Sequence, residues 1–570
     1  MKKLISVLLS AFLVAGIFGA CGTSNKPHAP QNSTVSPSDN GAAPDASAPA
    51  SDELYTVKVF TGNSGAADPD SHTVQWIKEN FNIMIDWEIS MNPTDQLNIY
   101  LASGDYPEII DTNESAIQTA YKGAGVLLAA SDYAQSAPNW WSQIQKYLPF
   151  HEDPDDGKVY GIVNGYDQVP YVDVAYSTRY DLLREVADSK TIKTTSDWVD
   201  ALKAMQEKFP EVNGKKAYAF GFMLGEDWGA QWLDKNMVAM MGQTMYNNCN
   251  LKVVGQERLE IVDFMVATQE YYDYMKWFNQ LYHEGLVDPE SAVMSYDDLA
   301  QKMVDGRIYT NHMQWEDSHI VAVQTDMGNP DVRMARLPLL WDGYSGGTFN
   351  CNKWASGGAR IYMTDKCKYP ERIMELADYL STTEGSTLVM WGVEGVDWAL
   401  NNGKMEFTDA AMNLLKGDPR ARSIIGITND SNMNYFGARN GFTATGQYMQ
   451  YELEPSFIDQ LYEDIDRQYL AEMGFETYDS PFFDMYIGAE NTALGSAFTL
   501  PPNSEEATIY TKADQLAMRV TSQLLLAETD AAFDSIYNDA IKELQDMGYE
   551  RFMNIYRDNL SSIQDRMGVK

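Results

Sequence analysis

The sequence predicts an α/β body built on a parallel sheet, and three observations predict it. Strand-like and helix-like patterns alternate from residue 54 to residue 111, the arrangement that feeds parallel strands through helical crossovers. The chain is 570 residues long and 44% apolar, enough for two or more domains with sizeable cores. No apolar run after Cys21 reaches the ~18 residues that a membrane-spanning helix needs.

The elements follow in order. Leu54, Tyr55, Thr56, Val57, Lys58, Val59 and Phe60 alternate as a strand, and residues 61–65 form the loop after it. Residues 70–81 form a helix with Val74, Ile77 and Phe81 at core spacing. Residues 83–89 form a second strand, 94–103 a helix capped by Thr94, and 108–111 a short buried strand. Ligands of parallel sheets meet the loops at the carboxyl ends of strands, here residues 61–65 and 111–115. Farther on, residues 217–222 and 308–310 are expected as strands. Residues 258–284, 296–305, 370–381, 511–527, 530–547 and 550–567 are expected as helices. Trp277, on the apolar stripe of the 258–284 pattern, is expected in the core.

The amino terminus carries an export signal. Lys2 and Lys3 precede an apolar run over residues 4–18, and Gly19 and Ala20 are small residues before a cleavage point. Phe18-Gly19-Ala20-Cys21 resembles a bacterial lipobox, in which Cys21 becomes the first mature residue and carries lipid. Residues 22–52 are rich in Ser, Ala, Pro, Asn and Asp and lack aromatics, so they are expected to form a linker rather than a core. Net charge is −39, and loss of Lys2 and Lys3 with the leader takes it to −41. Such a surface repels nucleic acid and anionic headgroups. After Cys21 only Cys249, Cys351 and Cys367 remain. Their spacing fits no zinc pattern, and a Cys351–Cys367 bridge stands beside buried free thiols as an alternative.

Several segments resemble bacterial extracellular solute-binding proteins of family 1. Leu101-Ala102-Ser103-Gly104-Asp105-Tyr106-Pro107-Glu108 resembles the LASGDxPD region. Asp156-Gly157-Lys158-Val159-Tyr160-Gly161 resembles DGKxYG, Arg179-Tyr180-Asp181-Leu182-Leu183 resembles RxDxL, and Thr194-Thr195-Ser196-Asp197-Trp198 resembles PxTxDEW. Trp391-Gly392-Val393-Glu394-Gly395-Val396-Asp397-Trp398 resembles the GxEGxxY segment of the large lipoprotein branch. The resemblance implies a two-lobed, periplasmic-binding-protein-like fold with a hinge and discontinuous lobes. The expected division is a signal peptide over 1–20, a lipidated Cys and linker over 21–53, one lobe over 54–170 plus 340–420, and the other over 171–339 plus 421–570. It further implies a lipid-anchored, non-enzymatic component of an ABC importer, outside the cell, that captures a carbohydrate and hands it to permease subunits. The chain is expected to be a monomer that touches the membrane through its anchor alone and needs no cofactor.

A neutral sugar is held by flat rings against its C–H faces and by planar polar groups around its rim. Tryptophans in polar or glycine-rich loops are therefore the first candidates: Trp228, Trp315 with Gln314, and Trp354 with Phe349. Trp398 with Glu394 and Asp397 matches the cleft-lining segment of the family, with bracing of that loop as the alternative role for Glu394. Asn63 and Ser64 on the first loop, and Asp111, Asn113 and Glu114 on the third-strand loop, are candidates for hydroxyl hydrogen bonds, as is Arg439.

Other chemistries fit less well. Gly343-Tyr344-Ser345-Gly346-Gly347 satisfies G-x-S-x-G but lacks the strand before and the helix after that a nucleophile elbow needs. His312 and His319 lie seven apart with no third zinc ligand near. Residues 430–434 begin like an EF-hand, with Tyr435 at the glycine turn and Gly441 at the position of the bidentate Glu; residues 152–157 are acidic with the wrong spacing. Structural calcium is thus a minor expectation. A glycosidase would instead pair carboxylates about 5–9.5 Å apart across the sugar, and the candidates are Glu316, Asp317, Glu394 and Asp397. A glycan-binding or sensor-presenting role on the same scaffold is the remaining alternative.

Overall fold

The computed structural model describes residues 53–569 except 63–67, 91, 113–114, 154, 166–168, 170, 173, 227, 246–249, 256–257, 314–328, 330, 349–350, 353–357, 419, 428–432, 488–499 and 501–503. The leader, Cys21 and the linker lie outside the described residues.

The first sheet forms as the alternation predicts. Tyr55–Thr61 pairs in parallel with Ile83–Ile89 on one side and with Ile109–Asp111 on the other. Val57 and Val59 are fully buried in one core, while Phe60 and Ile110 enter a smaller cluster with Leu97, Ile117 and Tyr121. Both faces are therefore covered, as a parallel sheet requires. The helix His72–Phe81 starts where Ser71 Oγ accepts from the Val74 amide and stops at Asn82 with φ 53°. The next helix begins at Pro93 rather than at a Thr94 cap, because proline at the first turn needs no amide partner.

Sequence alternation did not reach two further strands of this sheet. Ala359–Met363 inserts antiparallel between Ile109–Asp111 and Gly161–Val163. Its amino end therefore lies beside the carboxyl ends of the parallel strands.

A second, larger core gathers Trp198, Phe220, Tyr274 and Phe278 with the carboxyl-terminal helices Glu505–Leu525, Asp530–Met547 and Glu550–Arg566. Ser177–Arg179 is the central strand between Thr310–Asn311 and Met334–Arg336. Residues 217–222 run extended as expected but pair only through single parallel bridges, Tyr218 to Ile308 and Phe220 to Val287. The expected helix over 258–284 is two elements. Glu260–Phe264 is a strand paired with Leu251–Val254, and the helix Gln269–His283 starts only after Thr268, whose hydroxyl accepts from the Tyr271 amide. Ile261 is buried between exposed Glu260 and Val262, an alternation that suits a strand and not a helix. Trp277 packs on the second core, edge-on to Phe220 and Trp341.

Among the described residues the packing changes from one core to the other between Val163 and Tyr176, between Trp341 and Ala359, and between Ile458 and Ile465. The expected division placed 421–570 in the second lobe, and here the packing differs. Ile425, Phe436, Met449, Tyr451 and Phe457 all pack in the first core, where the Trp391 indole N–H donates to the Met449 carbonyl at 3.0 Å. Only from Ile465 and Tyr469, which pack on Tyr180 and Ala335, does the chain rejoin the second body. The last helix belongs to both. Phe552, Met553, Tyr556 and Leu560 enter the second core, Ile563 enters the first, and Arg566 pairs with Glu152 at 2.6 Å.

Candidate ligand-binding edges

The carboxyl edge of the first sheet is built around Asp111. The parallel register places Asp111 beside Thr61, whose hydroxyl donates to Asp111 Oδ2 at 2.8 Å. The antiparallel entry of Ala359–Met363 places Arg360 above it, and Arg360 Nε donates to Asp111 Oδ1 at 2.8 Å. The guanidinium lies 4.2 Å from the centre of the Tyr435 ring, within cation–π reach. Burial pushes the Asp111 carboxyl up, and Arg360 and Thr61 work against that push. Asp111 is 1% exposed, so it cannot meet a ligand as expected. It holds Arg360, whose side chain is 24% exposed, at the edge of the sheet. The terminal nitrogens of Arg360 have no hydrogen-bond partner among the described residues. Arg360 was not among the expected residues because nothing local marks it; its place depends on Asp111, 249 residues away in the chain.

The second body presents an aromatic edge. Its parallel segments end in the loops after Phe220, Val287 and Ile308, and these loops meet. Gly225 donates to the Met294 carbonyl at 2.9 Å, Leu224 to the Ser291 carbonyl at 3.1 Å, and the Tyr296 amide to Glu226 Oε1 at 2.8 Å. A Cβ on Gly229 would lie 2.1 Å from the Met223 carbonyl oxygen, so only glycine allows this approach. The next residue back, Trp228, is half-buried at the start of the helix Gly229–Ala239, its ring 5.9 Å from that of Tyr296. One turn on, half-buried Trp232 has Lys235 Nζ 5.0 Å over its ring.

Several expected contacts fall elsewhere. Trp398 is buried in the first core, and its indole N–H donates to the Gly392 carbonyl at 3.0 Å, so it is no sugar platform. Asp397, 1% exposed, accepts from the Val393 amide at 2.8 Å and meets His72 Nδ1 at 2.6 Å. It braces the loop, the role considered for Glu394, which is exposed. Neither Asp397 nor Asp111 has a carboxylate open to a substrate. Arg439 is half-buried on the segment of Tyr435, with its backbone amide donating to Ser386 Oγ. Asn63, Ser64, Asn113, Glu114, Gln314, Trp315, Phe349 and Trp354 lie outside the described residues, as do Glu316 and Asp317.

The cysteine and calcium expectations are resolved in part. Cys367 is a buried free thiol 3.7 Å from the Tyr55 hydroxyl. In the acidic loop 152–157, Lys122 pairs with Asp153 and Asp155, Arg566 with Glu152, and the Tyr160 hydroxyl donates to Asp156. Residues 430–432, which begin the EF-hand-like stretch, lie outside the described residues. Among the described residues no three His, Cys, Asp or Glu side chains converge as metal ligands.

An α/β chain with two cores matches the two-lobed fold of extracellular solute-binding proteins. It superposes on FusA, an ABC-transporter substrate-binding protein of Streptococcus pneumoniae solved with kestose, with a TM-score of 0.62 at 16% identity, covering 90% of this chain and 99% of that one. It superposes on the alginate-binding protein AlgQ2, solved without calcium ion, with a TM-score of 0.59 at 17% identity and the same coverage. FusA has also been solved as an EF-hand mutant. In sequence the chain is 27% identical to Lipoprotein LipO of Bacillus subtilis (strain 168) over 319 residues, 54% of this chain and 55% of that protein. It is 24% identical over 298 residues to the fructooligosaccharide ABC transporter substrate-binding protein FusA of Streptococcus pneumoniae serotype 4, covering 47% and 51%. The chain thus spans about half the length of the curated relatives it matches. No family model matches the sequence.

Proposed function

We propose that this protein is the lipid-anchored substrate-binding component of an ABC importer, and that it captures a carbohydrate, an oligosaccharide, between its lobes for delivery to a membrane permease. One observation carries the reading. Each lobe brings a different half of a sugar site: a pinned guanidinium on Tyr435 from one, and the Trp228–Tyr296 pair from the other. The guanidinium offers hydrogen-bond donors to hydroxyls, and the rings offer apolar faces to C–H groups. Contacts available only when both edges touch the ligand favour the closed state. The lobes are proposed as 54–163 plus 359–457 and 176–339 plus 465–560, with the crossings between them as the hinge. Cys21 is proposed as the lipidated residue on the extracytoplasmic face.

Isothermal titration of the mature protein tests this reading against kestose, nystose, human-milk oligosaccharides and alginate fragments. Binding of a sugar, with a smaller scattering radius and a raised thermal midpoint, is the expected result. A panel with no binder, or release of shorter sugars into solution, overturns it; the second outcome would indicate a glycosidase. Loss of binding in Trp228→Ala and in Arg360→Met assigns the two edges.

A further inference from the structure

The helix Tyr296–Val304 buries Leu299, Lys302 and Met303 on one face. Leu299 and Met303 enter an apolar cluster with Met223, Met294, Ile308 and Met313. A lysine on that face is costly unless it is paired, because its ammonium gives up hydration there. Lys302 is paired twice: its Nζ lies 2.6 Å from Asp288 Oδ2 and 2.6 Å from Glu290 Oε2. Asp288 is itself 1% exposed. Its backbone amide donates to the Phe220 carbonyl at 2.9 Å, and its Oδ1 accepts from the Glu290 amide at 3.0 Å. The ion pair therefore ties the last turn of the helix to the carboxyl end of a parallel segment, across the loop between them. At the other end of the helix stands Tyr296, its ring 5.9 Å from that of Trp228 and tilted by 44°. A helix of nine residues moves as one rod. A shift at Lys302 is thus carried to Tyr296, about 9 Å away along the axis.

We propose that Lys302 is the positioning residue of the aromatic edge: its ion pair with Asp288 seats the helix Tyr296–Val304 on the parallel segments and so sets the Tyr296 ring against the Trp228 ring as one surface for a sugar. The inference rests on the reading that this edge receives a saccharide. Lys302 acts through Tyr296 and touches no ligand. Apolar packing at Leu299 and Met303 holds the helix down, but such packing has no direction and lets the helix slide. A charged hydrogen bond fixes both distance and direction, so the pair sets the helix along its axis.

The test uses the mature protein and the variants K302M, D288N/K302M and K252M. K302M strands the Asp288 charge, and adding Asp288→Asn removes it. Lys252 is the comparison. It is as buried as Lys302, at 8% exposure, and pairs with Glu270 at 2.8 Å between the strand Leu251–Val254 and the helix Gln269–His283. Each protein is titrated, below its thermal midpoint, with the tightest sugar of the panel. Fluorine NMR of the ligand-free proteins, grown on fluorotryptophan, follows the resonance that Trp228→Phe removes. Both Lys302 variants are expected to bind about tenfold or more weakly and to shift the Trp228 resonance, although D288N/K302M regains most of the midpoint that K302M loses. K252M is expected to lower the midpoint and leave affinity and resonance as in the wild type. Affinity returning to the wild-type value in D288N/K302M, or a Trp228 resonance that stays in place, overturns the proposal. So does a K252M effect on affinity equal to that of K302M. If K302M does not fold, D288N/K302M carries the comparison. If no sugar binds the wild-type protein, the functional reading fails, and the fluorine resonance still decides whether Lys302 positions the rings.

Discussion

Replacing Arg360 by methionine removes the charge that compensates Asp111 while keeping most of the side-chain volume. Asp111 is buried, and its two oxygens are held at 2.8 Å by Arg360 Nε and by the Thr61 hydroxyl. Breaking a buried pair from one side typically costs 3–5 kcal/mol, because the remaining charge is stranded. The Thr61 bond survives and Arg360 is 24% exposed, so the low end, about 3 kcal/mol, applies. That corresponds to a fall of about 6–12 °C in the transition of the first lobe. The loss depends on pH with a definite sign. Burial already raises the Asp111 carboxyl, and without Arg360 it rises further. A carboxyl with a raised folded pKa leaves stability intact at pH values below its unfolded value and takes it away as pH climbs through the folded one. R360M should therefore be closer to wild type at pH 4 than at pH 7. Adding Asp111→Asn removes the stranded charge, so D111N/R360M should recover most of the deficit. Calorimetry of all four proteins at both pH values completes the cycle. Additive costs in the double variant, or a deficit independent of pH, would refute the reasoning.

Other predictions follow from named contacts. Asp234 is fully buried beside the Tyr274 hydroxyl, and burial pushes its carboxyl to about 7 against a usual 3.8. Wild-type stability should fall as pH rises between those values, by up to about 4 kcal/mol, and Asp234→Asn should flatten that slope in thermal melts at pH 4, 6 and 8. Ile563→Ala, in the last helix where it enters the first core, should cost about 2–3 kcal/mol and separate the calorimetric transitions of the two lobes. Arg566→Ala, at an exposed pair, should cost under about 1 kcal/mol. Gly392→Ala should destabilise by about 3 kcal/mol or more in chemical denaturation. Gly392 has φ 89°, and a Cβ there would meet Asp397 Oδ2 at 2.5 Å.

Local signals were legible where caps and turns mark them. Pro370–Ser381 begins at a proline, and Asp530–Met547 lies between the Thr529 cap and Gly548 with φ 73°, so the sequence boundaries match. The 258–284 segment misled because the apolar spacing of Gln269–His283 extends backward over Ile261 and Phe264, and only the Thr268 cap marks the true start. Trp228, expected from its glycine-flanked loop to be accessible, is half-buried beside Tyr296. Trp398 was expected at the cleft from the resemblance of its segment, yet its indole turns inward to a backbone carbonyl six residues away. Asp111 was found by the carboxyl-end rule with its role inverted, because the residue that covers it arrives on an antiparallel strand from a distant part of the chain. Strand insertion of that kind leaves no trace in local periodicity.

The Asp111–Arg360 couple sums to zero charge although it displays donors at its outer face. A guest that meets it exchanges few small ions with the solvent, so capture should change little between fresh and salty surroundings. The full chain carries a net charge of −39, and the long-range field of such a body neither draws in nor repels the uncharged sugar proposed as its ligand.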